Sequence, residues 1–184
     1  MTLAQIMTLA LRQLDEDPED LSEYDDLFRA YAAEGYAIAM REYVKPRAYR
    51  SLYADERGIA CLEGQDIRRV IAAEDGEGRS VHFALLPDGR HIRVNARDAE
   101  ITALCEIDAP PLTDDTDEPR MSEQAHAALA DYICYRHLSN GNLAKQSRAQ
   151  FYYRSFLEQM GRLRAQGFGS VTSFSGLYEA TGLR

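Results

Sequence analysis

The chain has 184 residues, 45% of them hydrophobic and 28% charged, with a formal net charge of −9. That composition excludes a chain disordered throughout, and the acidic balance argues against a protein that grips phosphate backbones through a basic face. The apolar runs are too short to cross a bilayer, and the first residues lack the charged leader and cleavage site of a signal peptide, so a product made in the cytoplasm with no membrane partner is expected.

The first helix is carried by Leu3, Met7, Ala10 and Leu14 at heptad spacing, widened by Ile6 and Leu11. It stops at Asp17-Pro18, where Asp17 or Ser22 is placed to cap the next helix. The second helix is expected from about Leu21 to Tyr43, with Phe28, Tyr31, Gly35, Ile38 and Glu42 on one face and an alanine-rich, thin outline. Pro46 then prevents its continuation.

Beyond Pro46 the pattern changes to short strand-like runs at 48–53, 59–63, 67–73, 80–86, 91–95 and 100–107. Gly- and Asp-rich breaks separate them, and Pro87-Asp88-Gly89 reads as a hairpin turn. A small antiparallel sandwich or barrel is expected. Helices return at Ser122, a candidate N-cap. The third helix is expected to end near Leu138, with Ala125, Leu129, Tyr132 and Arg136 as its stripe. Ser139-Asn140-Gly141 breaks it. The fourth is expected from about Asn142 to Arg164, on the stripe Ala149, Tyr153, Phe156, Met160 and Leu163. The short connection predicts an antiparallel hairpin. After it, five of the chain's twelve glycines fall in residues 161–184, which opposes a regular helix there.

The fold class read from this order is α+β. A bundle of about four helices, two N-terminal and two C-terminal, carries an inserted antiparallel β-module and an extended C-terminal arm. The segments are a helical pair at 1–45, a β-rich insert at 46–110, a helical hairpin at 111–164 that packs with the first pair, and the arm at 165–184. Charge is uneven along them. Residues Asp15 to Asp26 hold eight acids and no base, and Asn142 to Arg184 hold six bases against two acids. Such asymmetry can orient neighbours in an assembly or simply mark solvated faces.

The residues that most often carry chemistry gather in no catalytic pattern, and neither a catalytic residue nor a cofactor is expected. No phosphate loop, GxSxG or HExxH occurs. Cys61, Cys105 and Cys134 are odd in number, far apart and outside any CxxC, which argues for reduced thiols. His82 and His91 are expected at a strand surface and after a turn. His126, Cys134 and His137 share a helix face, but His126 stands about 12 Å along the axis from Cys134, so a buried thiol is the simpler reading and no metal is expected. The acidic turn Asp114-Asp115-Thr116-Asp117-Glu118 lacks the Gly and Glu positions of a calcium loop and reads as a turn that positions the third helix. Lys45-Pro46-Arg47-Ala48-Tyr49-Arg50, with Arg68 and Arg69, interleaves bases and tyrosines as single-strand binders do, yet Arg and Tyr equally favour protein interfaces.

The strand Ile101–Asp108, the turn Ala109-Pro110-Pro111-Leu112-Thr113 with Asp114–Pro119, a helix opening Ser122–Leu129, and the aromatic, arginine-bearing run Phe151-Tyr152-Tyr153-Arg154-Ser155-Phe156 succeed one another. This arrangement resembles the head-to-tail adaptor (connector) proteins of tailed double-stranded-DNA phages. The motif covers about 60 residues, and the arrangement with its N-terminal helix pair covers most of the chain. The second helix departs from the family by carrying Ala32-Ala33-Glu34-Gly35, and the cysteines have no counterpart. The resemblance implies a virion structural protein without catalysis: a homo-oligomeric ring, commonly a dodecamer, at the neck of the particle. It would join the portal protein to tail or stopper proteins and let DNA pass through its channel without sequence-specific binding. It also implies that the arm docks on the portal, through Phe168, Val171, Phe174, Leu177, Tyr178, Leu183 and Arg184. Candidate inter-subunit residues are Arg148, Tyr152, Arg154, Arg47, Tyr49 and Arg50. The alternatives are another neck or tail part, such as a stopper or tail terminator; a small cytosolic enzyme built on the Asp114–Asp117 carboxylates and His126; or a nucleic-acid-binding module.

Overall fold

The computed structural model describes the backbone of residues 1–169 and the side chains of 1–164. It is α+β, with four α-helices and one six-stranded antiparallel sheet. The chain divides into two compact units, one formed by Met1–Val44 with the residues from Pro110 onward, the other by Lys45–Ala109.

In the helical unit, α1 (Leu3–Gln13) opens with a capping box: the Thr2 side chain accepts from Gln5 N, and the Gln5 side chain accepts from Thr2 N. It closes with Asp15 in the left-handed region at φ 65°, Glu16 N–H donating to Leu11 O at 3.1 Å and Asp15 N–H to Arg12 O at 3.3 Å. That is a Schellman closure with aspartate where glycine is usual. Asp17 caps a short 3-10 turn, Pro18–Asp20, by accepting from Glu19 N. α2 (Leu21–Ile38) comes next and ends in a π-helical segment, Ala39–Val44.

The buried face of α2 is not the expected one. Phe28, Ala32, Gly35 and Tyr36 are buried, while Tyr31 and Ile38 are half-buried and Glu42 is exposed. Gly35 is the cause: a Cβ there would meet the Tyr132 ring at 2.7 Å, so the ring seats directly on the helix backbone. Tyr31 is left at the rim, under the Arg136 guanidinium at 5.3 Å.

The third helix also starts later than expected. Glu123–Ala125 form a 3-10 turn, Ser122 makes no side-chain cap, and α3 runs His126–Ser139. It is buried on most sides (Ala128, Leu129, Ala130, Tyr132, Ile133, Cys134 and Leu138), as a central helix must be. α4 (Leu143–Gly169) continues five residues past the expected end at Arg164, so residues 165–169 are helical where the extended arm was expected to begin. Asn142 caps α4, accepting from Lys145 N at 3.1 Å. The hairpin is antiparallel: Tyr135 stacks near Tyr153 at 4.5 Å, Tyr132 near Phe156 at 5.0 Å, and Asp131 reaches Gln159. Partners descend on α3 as they ascend on α4.

The β unit contains β1 (Arg47–Ala54), β2 (Ile59–Cys61), β3 (Ile67–Glu74), β4 (Phe83–Leu85), β5 (His91–Val94) and β6 (Ala99–Ile107). All six expected runs are strands. Their order is β3-β6-β1-β2-β5-β4. In a flat sheet the outer two would stand about 24 Å apart, at about 4.8 Å per strand. Yet Val81 N–H donates to Ala73 O of β3 at 2.8 Å, and Val81 is two residues from β4, a span of at most about 7 Å. The sheet must therefore roll until its edges approach, which resolves the sandwich-or-barrel alternative toward a barrel. Leu52, Ala54, Val70, Ala73, Val81, Ile92, Ile101 and Ala103 fill the interior.

Three turns of this unit share one chemistry. Asp55, Asp75 and Asp88 each turn Oδ1 back onto two backbone N–H groups, at Arg57 and Ile59, Glu77 and Arg79, and Arg90 and His91. Those bonds hold the Asp75 and Asp88 carboxyls below their ordinary range. The first and last strands are neighbours, with Arg47 opposite Glu106. The unit's two chain ends thus lie side by side, the condition for insertion into another unit.

Candidate functional site

The acidic turn after β6 is a structural clamp. Asp117 accepts from Thr113 N at 2.7 Å and Asp114 N at 2.9 Å, and the bond from Asp114, then that from Thr113, hold its carboxyl below the usual range. The turn's carbonyls cap α1: Leu3 N–H donates to Asp117 O at 2.8 Å and Ala4 N–H to Asp115 O at 3.1 Å. Arg29 of α2 bonds Thr113 O at 2.7 Å and Asp115 at 2.6 Å. The turn therefore fastens α1 to α2, whereas its sequence position suggested a role in placing the third helix. The Asp115 carboxylate is engaged by Arg29 and that of Asp117 by the turn's own amides, while the His126 ring bonds the Pro119 and Met121 carbonyls. Among the described residues no group of three His, Cys, Asp or Glu side chains is arranged to hold a metal ion.

His126, Cys134 and His137 also part company. His126 is 2% exposed; its Nε2 lies 3.2 Å from Pro119 O and 3.1 Å from Met121 O, and its Nδ1 lies 2.9 Å from the Met1 ammonium. Two carbonyl acceptors at Nε2 place the proton there and leave Nδ1 as acceptor. His137 packs edge-on to Tyr24 and Phe28, and burial pushes its imidazole pKa down. Cys134 points to α1, at 3.2 Å from Gln13 Oε1 and 3.5 Å from Ala10 O. Burial pushes its thiol up to about 12, which makes it unreactive.

One polar cluster was not anticipated. Asp131 is 6% exposed and accepts from Gln13 Nε2 of α1 at 3.1 Å and from Ser155 Oγ and Gln159 Nε2 of α4 at 2.6 and 2.8 Å. Burial raises its carboxyl above the ordinary range, and the three neutral donors only partly offset this. The signal was present: Asp131 is the one acid in the apolar run Ala127–Cys134. The cluster binds three helices together, and it is fully satisfied by its own chain.

The expected inter-subunit residues fall into two groups. Arg148, Tyr152 and Arg50 have partners within the chain. Tyr152 Oη donates to Gln13 O at 2.6 Å, and Arg148 pairs with Asp15 at 3.3 Å. Arg50 holds Asp66 at 2.9 Å. Arg154, Arg47 and Tyr49 are exposed, Tyr49 at 66%. Of the arm, the Phe168 backbone is helical, and its side chain lies outside the described residues, as do Val171, Phe174, Leu177, Tyr178, Leu183 and Arg184.

Two exposed surfaces carry large side chains that burial would normally claim. α4 presents Leu143, Phe151 and Leu157 at 80%, 69% and 37% exposure, with Arg154 beside them. Their positions lie off the stripe Ala149–Phe156–Met160, so helical periodicity alone identifies them. The outer face of β1 presents Tyr49 and Tyr53, the latter hydrogen-bonded to Asp98. Aromatic and arginine side chains of this kind are enriched in protein interfaces. No protein-family model matches the chain, and no curated protein matches it significantly.

Proposed function

We propose that the protein is a head-to-tail adaptor of a tailed double-stranded-DNA phage: a structural part without catalysis, made in the host cytoplasm and built into the neck of the virion. Copies assemble as a ring that joins the portal to tail or stopper proteins and encloses the DNA channel. The bundle of two N-terminal and two C-terminal helices with an inserted β-module belongs to this reading, and so does a portal-docking arm at the C-terminal end of the chain. The observation that carries it is the exposed ridge of α4. Leu143, Phe151, Arg154 and Leu157 are interface residues on the segment that resembles the family, and a helix supported along its other side by α3 is rigid enough to present them.

Mixing the purified chain with the portal ring of the same phage tests this. The expected result is a stable complex by size exclusion, with a ring beneath the portal by electron microscopy; two components that migrate separately at micromolar concentration overturn the reading. Deleting residues 170–184 should abolish docking and leave the circular dichroism of the helical unit unchanged. Undiminished docking removes the arm from the proposal and leaves the adaptor.

A further inference from the structure

β1 is paired along its whole length on one side and almost nowhere on the other. Its residues match β6 from Arg47↔Glu106 to Ala54↔Ala99. Among the described residues β2 meets it only at Ala54↔Ala60. Ile107 N–H donates to Pro46 O at 2.9 Å, so residues 46 and 107 form a hydrogen-bonded pair, and that sets the phase of the ladder. Residues 48, 50, 52 and 54 turn their amides to β6. Arg47, Tyr49 and Ser51 turn theirs away, toward the side where Asp55 N–H meets Ile59 O of β2 at 3.0 Å. All three are exposed, and the Tyr49 carbonyl is reached by its neighbour Arg50, at 3.2 Å. A bare strand edge is a template for another strand.

We propose that this edge is a self-association surface whose occupant is β1 of a second copy of the chain, added antiparallel about a two-fold axis at Tyr49. The charge along the edge selects that arrangement. Lys45 and Arg47 stand where it begins. Where it finishes, the hydroxyls of Ser51 and Tyr53 hold Glu100 and Asp98. Antiparallel addition sets Arg47 of one copy opposite Ser51 and close to Glu100 of the other, while parallel addition would set Arg47 beside Arg47. The facing pairs 47–51, 49–49 and 51–47 each exchange two hydrogen bonds, the Tyr49 carbonyl accepting from the partner strand with its second lone pair beside Arg50, and the two tyrosines meet at the axis. The contact is isologous and closes after two copies. It does not depend on the adaptor reading, and portal binding can fail or succeed without affecting it.

Sedimentation equilibrium of the full chain over a range of concentrations is the test. The expected result is a reversible dimer that weakens as salt is added. Arg47→Glu and Glu100→Arg should each weaken it roughly tenfold. An equimolar mixture of the two variants should recover the wild-type constant, because each copy then offers the charge the other needs. Tyr49→Pro removes an N–H that faces away from β6 and should yield a monomer with wild-type circular dichroism. A wild-type monomer at every concentration overturns the proposal, as does a dimer that survives Tyr49→Pro. A mixture that stays as weak as its separate variants also overturns it. Should Tyr49→Pro disturb the sheet, the charge mixture decides alone.

Discussion

The helical unit keeps polar side chains in its interior, and the β unit keeps almost none. Asp131, His126 and Cys134 are buried among the helices and tied by hydrogen bonds. The rolled sheet encloses aliphatic and alanine side chains and one thiol, Cys105, which donates to Ala103 O of its own strand; its one buried acid, Glu106, is on the other face and held by Arg68 at 3.1 Å. The difference stems from what each architecture must specify. A strand's position is set by its ladder, because a one-residue slip turns every side chain to the wrong face. Packed helices have no such ladder between them. The Asp131 cluster, touching α1, α3 and α4 at once, supplies a register that apolar contacts alone leave loose.

Removing the apolar centre of the helical unit should have the largest effect. Phe156 is fully buried against Tyr132, and Phe156→Ala should cost about 3–5 kcal/mol in urea unfolding. If the β unit's signal moves by the same amount, the two units unfold as one and the comparison loses its force. Next comes the close approach at Gly35. Overpacking against Tyr132 costs about 1–3 kcal/mol, and the helix preference of Ala over Gly returns about 1 kcal/mol. Gly35→Ala should therefore be destabilising by up to about 2 kcal/mol; a gain in stability would mean that the ring moves freely and does not set the α2 face.

The third measurement addresses the polar cluster itself. The Asp131 carboxyl is raised in the folded protein above its ordinary value of 3.8. The folded state then holds its proton more tightly than the unfolded state, so this group's contribution to stability falls as pH rises from about 3.8 through the folded value. Asp131→Asn should remove that dependence. In chemical unfolding at pH 7 and again near pH 4, wild type should gain on the variant at the lower pH. An unchanged difference would show that the cluster is solvated and specifies little. The smallest effect is expected at the end of α1, where Asp15→Gly relieves a left-handed residue and should add about 0.5–1 kcal/mol to the melting stability. A loss there would mean that the Arg148 pair matters more than backbone strain.

Much of the fold was legible because it is written in local periodicity. Ile6 with Met7 and Ala10, Phe156 with Met160, and the alternation through Ile101 and Ala103 each point one way without knowledge of a partner. What could not be read was set by distant contacts. The α2 face depends on where the Tyr132 ring lands, a residue about a hundred positions away. The rolling of the sheet depends on one bond from Val81 to Ala73. The capping box Thr2–Gln5 is also written in local sequence, and so is Asp131 amid its apolar neighbours. Composition marks arginines and tyrosines alike, but only the fold shows that Arg50, Arg148 and Tyr152 have partners within their own chain.

The π-helical segment Ala39–Val44 has a consequence for how such a chain can change. A π turn holds one residue more than the α turn it replaces, so α2 carries what amounts to a single-residue insertion, absorbed where the helix hands over to β1. Deleting one residue there would restore an α turn and leave the residues on either side in nearly the same helical phase. The helix would hardly register the loss. A change of one residue in length is therefore better tolerated in this stretch than in the α-helical turns before it, where it would rotate every later side chain by about 100°.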